Sequence, residues 1–216
     1  MLKNGYKIDP TTRFSSRVEN YVKYRPNYPA EISTFLKERE ILKSQSVIAD
    51  IGSGTGKLTE LFLMNGNIVY GVEPNDNMRK AAEDILKDYK NFRSIKGSAE
   101  ETHLNSHTID LITAGQAFHW FKMNETLQEF KRILKQNGYI ALIWNNRRKS
   151  GHNFSNDYEK FILKYGTDYR DVRKSERNVD DFFIYEKIKF PNFQDLDFEG
   201  LKGRLLSVSY IPQEGT

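Results

Sequence analysis

Gly52, Gly54 and Gly56 stand at alternate positions in Asp50-Ile51-Gly52-Ser53-Gly54-Thr55-Gly56, a spacing that implies chemistry. Glycine lets a backbone turn sharply and approach a ligand with no Cβ in the way. Between a strand and a helix, such a loop leaves N–H groups facing an anion, either a carboxylate or a phosphate. The spacing also separates cofactors. A dinucleotide fingerprint needs glycines at its first, third and sixth positions, and Lys57 takes the sixth place counted from Gly52. A phosphate-binding P-loop needs Gly-Lys followed by Ser or Thr, and Gly56-Lys57 is followed by Leu58. Glu73, about twenty residues beyond the loop, is placed to accept hydrogen bonds from two adjacent ribose hydroxyls.

Two further clusters are candidates. Gln116-Ala117-Phe118-His119-Trp120-Phe121 holds a histidine among aromatics, with His119 the candidate acid–base residue and the rings either core or pocket wall. Tyr21, Tyr24, Arg25 and Tyr28 form an aromatic-basic group that reads equally as a helix covering the core edge or as a lid. In the lid reading Arg25 grips a carboxylate in bidentate fashion. Trp144 either lines the same pocket or packs.

These residues need elements to hold them. Short apolar runs at Val47–Ile51, Ile68–Val72 and Ile109–Thr113 read as buried strands, joined by a thinner one at 91–96 and a fifth at Gly138–Trp144. Helical spacing of apolar residues marks Pro29–Leu42, Lys57–Asn65, a segment capped by Asn75 or Asp76 and running through Leu86, Thr126–Leu134 and Phe154–Tyr165. Alternating strands and helices predict a doubly wound, mainly parallel α/β sheet, with ligands at the carboxyl ends of its strands. The stretch Thr167–Asp181 is charged and reads as a loop or lid, and Lys187–Tyr210 alternates enough to predict one or two strands.

The 216 residues fit a single domain, 1–216, divided into an N-terminal lid and helix (1–45), a cofactor-binding core (46–146) and a substrate-side extension (147–216). Absence of cysteine excludes disulfides, thiolate metal sites and cysteine nucleophiles. The net charge is +4, but 33 basic residues interleave with 29 acidic ones, which argues for a solvated surface over a nucleic-acid groove. No apolar stretch reaches the length of a membrane span and no secretory leader is legible, so a cytoplasmic address is expected, with the chain a monomer or weak homodimer.

Taken together, Val47–Gly56, Glu73-Pro74-Asn75-Asp76-Asn77-Met78 and Gly97-Ser98-Ala99-Glu100 resemble the class I S-adenosylmethionine-dependent methyltransferases, a Rossmann-like fold. Gln116–Phe121, with Phe14 and the segment Tyr21–Pro29, resembles a narrower branch, the trans-aconitate methyltransferase-like or type 11 proteins. The resemblance implies S-adenosylmethionine as cofactor, leaving as S-adenosylhomocysteine, and no metal. It implies that Asp50, Gly52, Ser53 and Gly54 meet the cofactor, that Glu73, Pro74 and Met78 hold ribose and adenine, and that Ser98, Ala99 and Glu100 line the adenine edge. Gln116, Phe14 and Tyr21 complete the cofactor set. Arg25, His119, Trp120 and Trp144 are then the acceptor side, with His119 the candidate catalytic residue. Members usually continue with a further helix and an antiparallel strand pair, so the extension is expected to complete the sheet differently or leave it short at one edge.

Methyl transfer from a sulfonium is an in-line displacement, to which alignment alone contributes roughly 7–11 kcal/mol. Aromatic faces attract the sulfonium by ~0.5–2 kcal/mol. The leading expectation is a small-molecule acceptor, with a carboxylate among the candidates because it needs no base. The alternatives are an RNA or protein methyltransferase and a non-catalytic protein that retains the cofactor-binding fold.

Overall fold

The computed structural model describes residues 14–147, 153–167, 169 and 179–212. The stretch expected as a loop or lid over Thr167–Asp181 lies mostly outside them. In chain order the helices are α1 (Val18–Tyr24), α2 (Glu31–Glu38), α3 (Lys57–Met64), α4 (Asp76–Ile85), α5 (Met123–Ile133), α6 (Asn153–Tyr165) and α7 (Phe198–Leu206). The strands are β1 (Val47–Ile51), β2 (Ile68–Val72), β3 (Phe92–Ile95), β4 (Ile109–Gly115) and β5 (Leu134–Ile143). They pair in parallel in the order β3-β2-β1-β4-β5.

Central strands without polar alternation are covered on both faces, and Ile48, Ala49, Ile51, Val69, Leu111 and Ile112 have essentially no exposed surface. One face packs Ile51 and Ile112 against Phe118, Phe130 and Ile133. The other packs Ile48 and Leu111 against Leu36 of α2, Leu58 and Phe62 of α3, and Leu86 beyond α4. α3 stops at Gly66, whose φ of 86° is the left-handed conformation a helix end requires. α4 starts where the Asn75 side chain accepts the Met78 N–H at 3.0 Å. The chain runs outward through β1, β2 and β3, then returns to lay β4 on the far side of β1. That reversal opens a crevice between the loops after β1 and β4.

Two expectations need correction. β5 begins at Leu134, directly from α5, rather than at Gly138. Among the described residues the strands expected within Lys187–Tyr210 are absent. The chain runs without regular structure to Asp197 and then forms α7. Ile188 and Phe193 are exposed while Phe190 packs against Phe35, so the stretch has no continuous buried face. Asp197 accepts the Gly200 N–H at 2.7 Å and nucleates a helix instead. α7 crosses α1 closely: a Cβ on Gly203 would lie 2.1 Å from a ring carbon of Tyr24. Arg17, just before α1, closes the pairing by donating to the Leu206, Val208 and Ile211 carbonyls at 2.7–3.0 Å, where a helix end leaves acceptors free. The chain's two distant ends therefore form one cover beside the crevice. No helix among the described residues is long and apolar enough to cross a membrane.

Candidate functional site

The glycine loop leaves β1 in a conformation that its sequence enforces. Gly52, Gly54 and Gly56 have φ of 68°, 57° and 85°, values that carry steric strain for residues with a Cβ. Gly52 and Ser53 donate to the Val72 carbonyl at 2.9 and 3.2 Å, bending the loop over the end of β2. A Cβ on Gly52 would meet the Ala117 Cβ at 2.6 Å, whereas one on Gly54 would meet nothing within 4 Å. Gly52 is thus required for packing, and Gly54 presents bare backbone to open space.

Glu73, at the end of β2, closes on this loop. Its Oε2 accepts the Gly54 N–H and its Oε1 the Asn75 N–H, both at 2.9 Å. Burial raises its pKa, opposed by those two N–H groups. Each carboxylate oxygen has a second lone pair, so the group is fixed in place and can still accept from a diol. Pro74 follows it and Met78 is buried in α4. The N-terminal segment also reaches this end: Ser15 Oγ accepts from Asn75 Nδ2 at 2.9 Å, and Phe14 packs edge-on against Tyr21.

The residues after β3 divide. Ala99 is buried in the core. Ser98 Oγ accepts the N–H groups of Glu100 and Glu101 in a local turn. Glu100 accepts the Lys122 N–H at 2.7 Å, tying this loop to the start of α5. Ser98 and Glu100 thus have structural bonds to make whatever else they touch.

Beside the glycine loop lies a cavity of about 40 Å3, walled by Gly52, Ser53 and Asp50 on one side, Gly115 and Gln116 on another, and Tyr21 and Arg25 above. On this measure one water needs ~10–15 Å3, so the cavity has room for a few waters. Asp50 is fully buried; Thr59 and Thr113 donate to its Oδ2 and Oδ1 at 2.7 and 3.0 Å. Burial outweighs those bonds and lifts its pKa from 3.8 to about 6. Gln116 has a φ of 59° and donates its N–H to the Ile143 carbonyl at 3.0 Å. A left-handed residue other than glycine stores roughly 1–3 kcal/mol of strain, and such residues cluster at functional sites. Arg25 stacks over the Tyr21 ring, 5.0 Å from its centroid, and donates to the Ser207 carbonyl at 3.1 Å.

The structure therefore brings together Tyr21, Arg25, Asp50, Gly52, Ser53 and Gln116 around one cavity, with Glu73 bonded to the same loop. It does not bring His119, Trp120 or Trp144 to that cavity. After Gln116 the chain makes a tight turn over Phe118–Trp120 that commits Phe118 to the core; Trp144 packs edge-on against Phe118, and the His119 ring lies 4.6 Å from that of Trp120. The expected pairing of His119 with Arg25 about one cavity is replaced by another. Sequence reading had missed Lys57, Asn145 and above all Arg204, all of which line it. In the sequence Lys57 stands out only as the residue that breaks the dinucleotide spacing. Arg204 carries no signal in the sequence, because only the crossing of α7 over α1 puts it there.

Comparison with known proteins agrees with this geometry. Residues 49–142 match the family described as a methyltransferase domain. Over that segment, which is less than half of the chain, the protein is similar to a methyltransferase domain. An uncharacterized methyltransferase of Schizosaccharomyces pombe is 34% identical over 138 residues, 63% of this chain and 54% of that protein. One of Mycobacterium bovis is 31% identical over 139 residues, 64% and 54% of the two chains. The chain thus spans about half the length of the curated relatives it matches. Among solved structures, a SAM-dependent methyltransferase of Aquifex aeolicus superposes with a TM-score of 0.51 at 23% identity, over 69% of this chain and 86% of that one. A [4+2]-cyclase superposes with a TM-score of 0.53 at 15% identity, over 62% and 57%. The methyltransferase fold thus also carries other chemistry. S-adenosylmethionine is the cofactor of the methyltransferase domain class.

Proposed function

We propose that this chain transfers the methyl group of S-adenosylmethionine to a small acceptor bearing a carboxylate or another anionic group. One observation carries the reading: the glycine loop, the strained Gln116 and the Arg25 guanidinium surround a single cavity at the carboxyl edge of the sheet. Bound there, S-adenosylmethionine supplies an electrophilic methyl on a sulfonium. The residues present suit that cofactor. Gly54 leaves open space for close approach, Glu73 has lone pairs to spare for ribose hydroxyls, and Thr55 Oγ1 is buried beside the cavity with no partner. Tyr21 and Arg25 line the same cavity and would shield a ligand bound there on one side, which strengthens electrostatics inside.

A carboxylate acceptor fits because it asks for no proton removal. His119 does not line the cavity, so no histidine stands there as a base. Charge on the outer surface favours a small acceptor over RNA: Arg39, Arg79 and Lys135 pair with Glu186, Asp76 and Asp110 instead of forming a bare basic track.

The deciding experiment incubates the protein with methyl-labelled cofactor and separate pools of small carboxylic acids, amines, phenols, RNA and peptides. Label in base-labile esters of the acids is expected. Label in RNA or peptides, or in no pool, overturns the reading. Calorimetry should also show S-adenosylhomocysteine binding in clear preference to NAD.

A further inference from the structure

Arg204 projects from α7 into the cavity that Arg25 enters from α1. Two guanidinium groups from opposite ends of the chain thus share one small space, with Lys57 as a third cation on its wall. Among the described residues no carboxylate forms an ion pair with either arginine. The Asp50 carboxylate on the same wall is engaged by Thr59 and Thr113. Arg25 has one hydrogen bond, to the Ser207 carbonyl, while its buried Nε has no partner. Nη1 of Arg204 is likewise buried without one.

A guanidinium nitrogen hidden from water and left unbonded is unfavourable, and two like charges side by side compound the effect. Burial and the nearby Arg25 charge hold the Arg204 pKa down to about 10. Neighbouring arginines behave differently: Arg17 saturates three carbonyls, and Arg147 pairs with Glu159 while stacking on Tyr158. Arg79 and Arg147 also bury an unbonded Nε, but each pairs with a carboxylate, whereas among the described residues Arg25 and Arg204 pair with none.

We propose that Arg25 and Arg204 together form an anion subsite that takes a carboxylate. A carboxylate accepts from planar N–H forks, supplies the missing charge and satisfies the buried nitrogens at once. The proposal deepens the methyl-transfer reading and rests on it for the neighbouring cofactor. The carboxylate belongs either to the cofactor's amino acid end or to the acceptor, and two probes separate these sources.

Calorimetric titrations of the full chain and its Arg204→Gln variant would use S-adenosylhomocysteine, then methylthioadenosine, which lacks the carboxylate, and finally citrate added to protein saturated with S-adenosylhomocysteine. The variant should lose about tenfold or more in affinity for one carboxylate ligand and keep its methylthioadenosine affinity. Loss for S-adenosylhomocysteine assigns the subsite to the cofactor's carboxylate. Loss for citrate alone assigns it to the acceptor. Arg204→Lys should fall between, because it keeps the charge and loses the fork. The thermal midpoint of Arg204→Gln should be no lower than that of the parent, since Nη1 has no bond to lose. Unchanged affinity for both carboxylate ligands, or a parallel loss for methylthioadenosine with a lower midpoint, overturns the proposal. A parent chain that binds citrate but neither nucleoside leaves the subsite supported and sinks the cofactor reading instead.

Discussion

The two ends of the cleft solve opposite problems. At the Glu73 end a buried carboxylate is held by the N–H groups of Gly54 and Asn75, so both its oxygens have protein partners. At the Arg25 and Arg204 end, buried guanidinium nitrogens have no protein partner. The first arrangement is assembled from residues close in sequence, on loops that adjacent parallel strands place together. The second needs α1 and α7 to cross, and it is left open for a ligand to complete. Bonded polar groups build a site, and unbonded ones indicate what it is for.

The largest expected effect tests the glycine loop that the two ends share. Gly52→Ala combines left-handed strain with a contact of 2.6 Å to Ala117, so a loss of about 3 kcal/mol or more in urea unfolding is expected. A loss below about 1 kcal/mol would mean that the loop moves freely and holds neither end in place.

Next comes Asp50, which faces the cavity from the bonded side. Its folded pKa lies above its ordinary value, so the fold favours the protonated form and loses stability as pH rises from 3.8 through about 6. That rise corresponds to about 3 kcal/mol. Asp50→Asn removes the titration. It should therefore gain stability relative to the parent at pH 8, with the difference vanishing below about pH 4. Denaturation curves whose pH dependence matches in the two proteins would show that Asp50 is better solvated than its burial indicates.

Glu73→Ala is expected to weaken S-adenosylhomocysteine binding at least tenfold, from loss of charge-assisted bonds contributing ~1.5–3 kcal/mol each before compensation by water. It also strips an acceptor from two backbone N–H groups, so about 1–2 kcal/mol of stability should go with it. Affinity measured by calorimetry and stability by urea should fall together.

The smallest effect sharpens the contrast. Arg25→Gln loses a single bond, to Ser207, and should change stability by less than about 1.5 kcal/mol, while binding of a carboxylate ligand falls. A large loss of stability would make Arg25 a strut between α1 and α7.

Much of this molecule is legible without coordinates. The runs Val47–Ile51 and Ile68–Val72 form strands with those same bounds, because a parallel strand covered on both faces is mainly apolar. The loop Asp50–Gly56 is as plain, since left-handed backbone at three places calls for glycine. Glu73 follows from its place after the second strand. Where alternation without burial was read as strand, over Lys187–Tyr210, the reading failed, because period alone does not say whether a partner exists.

What the sequence by itself determined is local: which segments are strands, where the backbone must be bare, and hence which class of cofactor the loop suits. The tertiary structure alone decided which side chains share the cavity. Trp144, adjacent to the right strand, packs against Phe118 and His119 lies against Trp120, neither lining the cavity, while Arg204, far along the chain, is carried to Arg25 because Gly203 lets α7 press against Tyr24. Strand and turn preferences act between near neighbours in the chain. A cavity's occupants depend on close packing between distant segments, which no short stretch of sequence encodes.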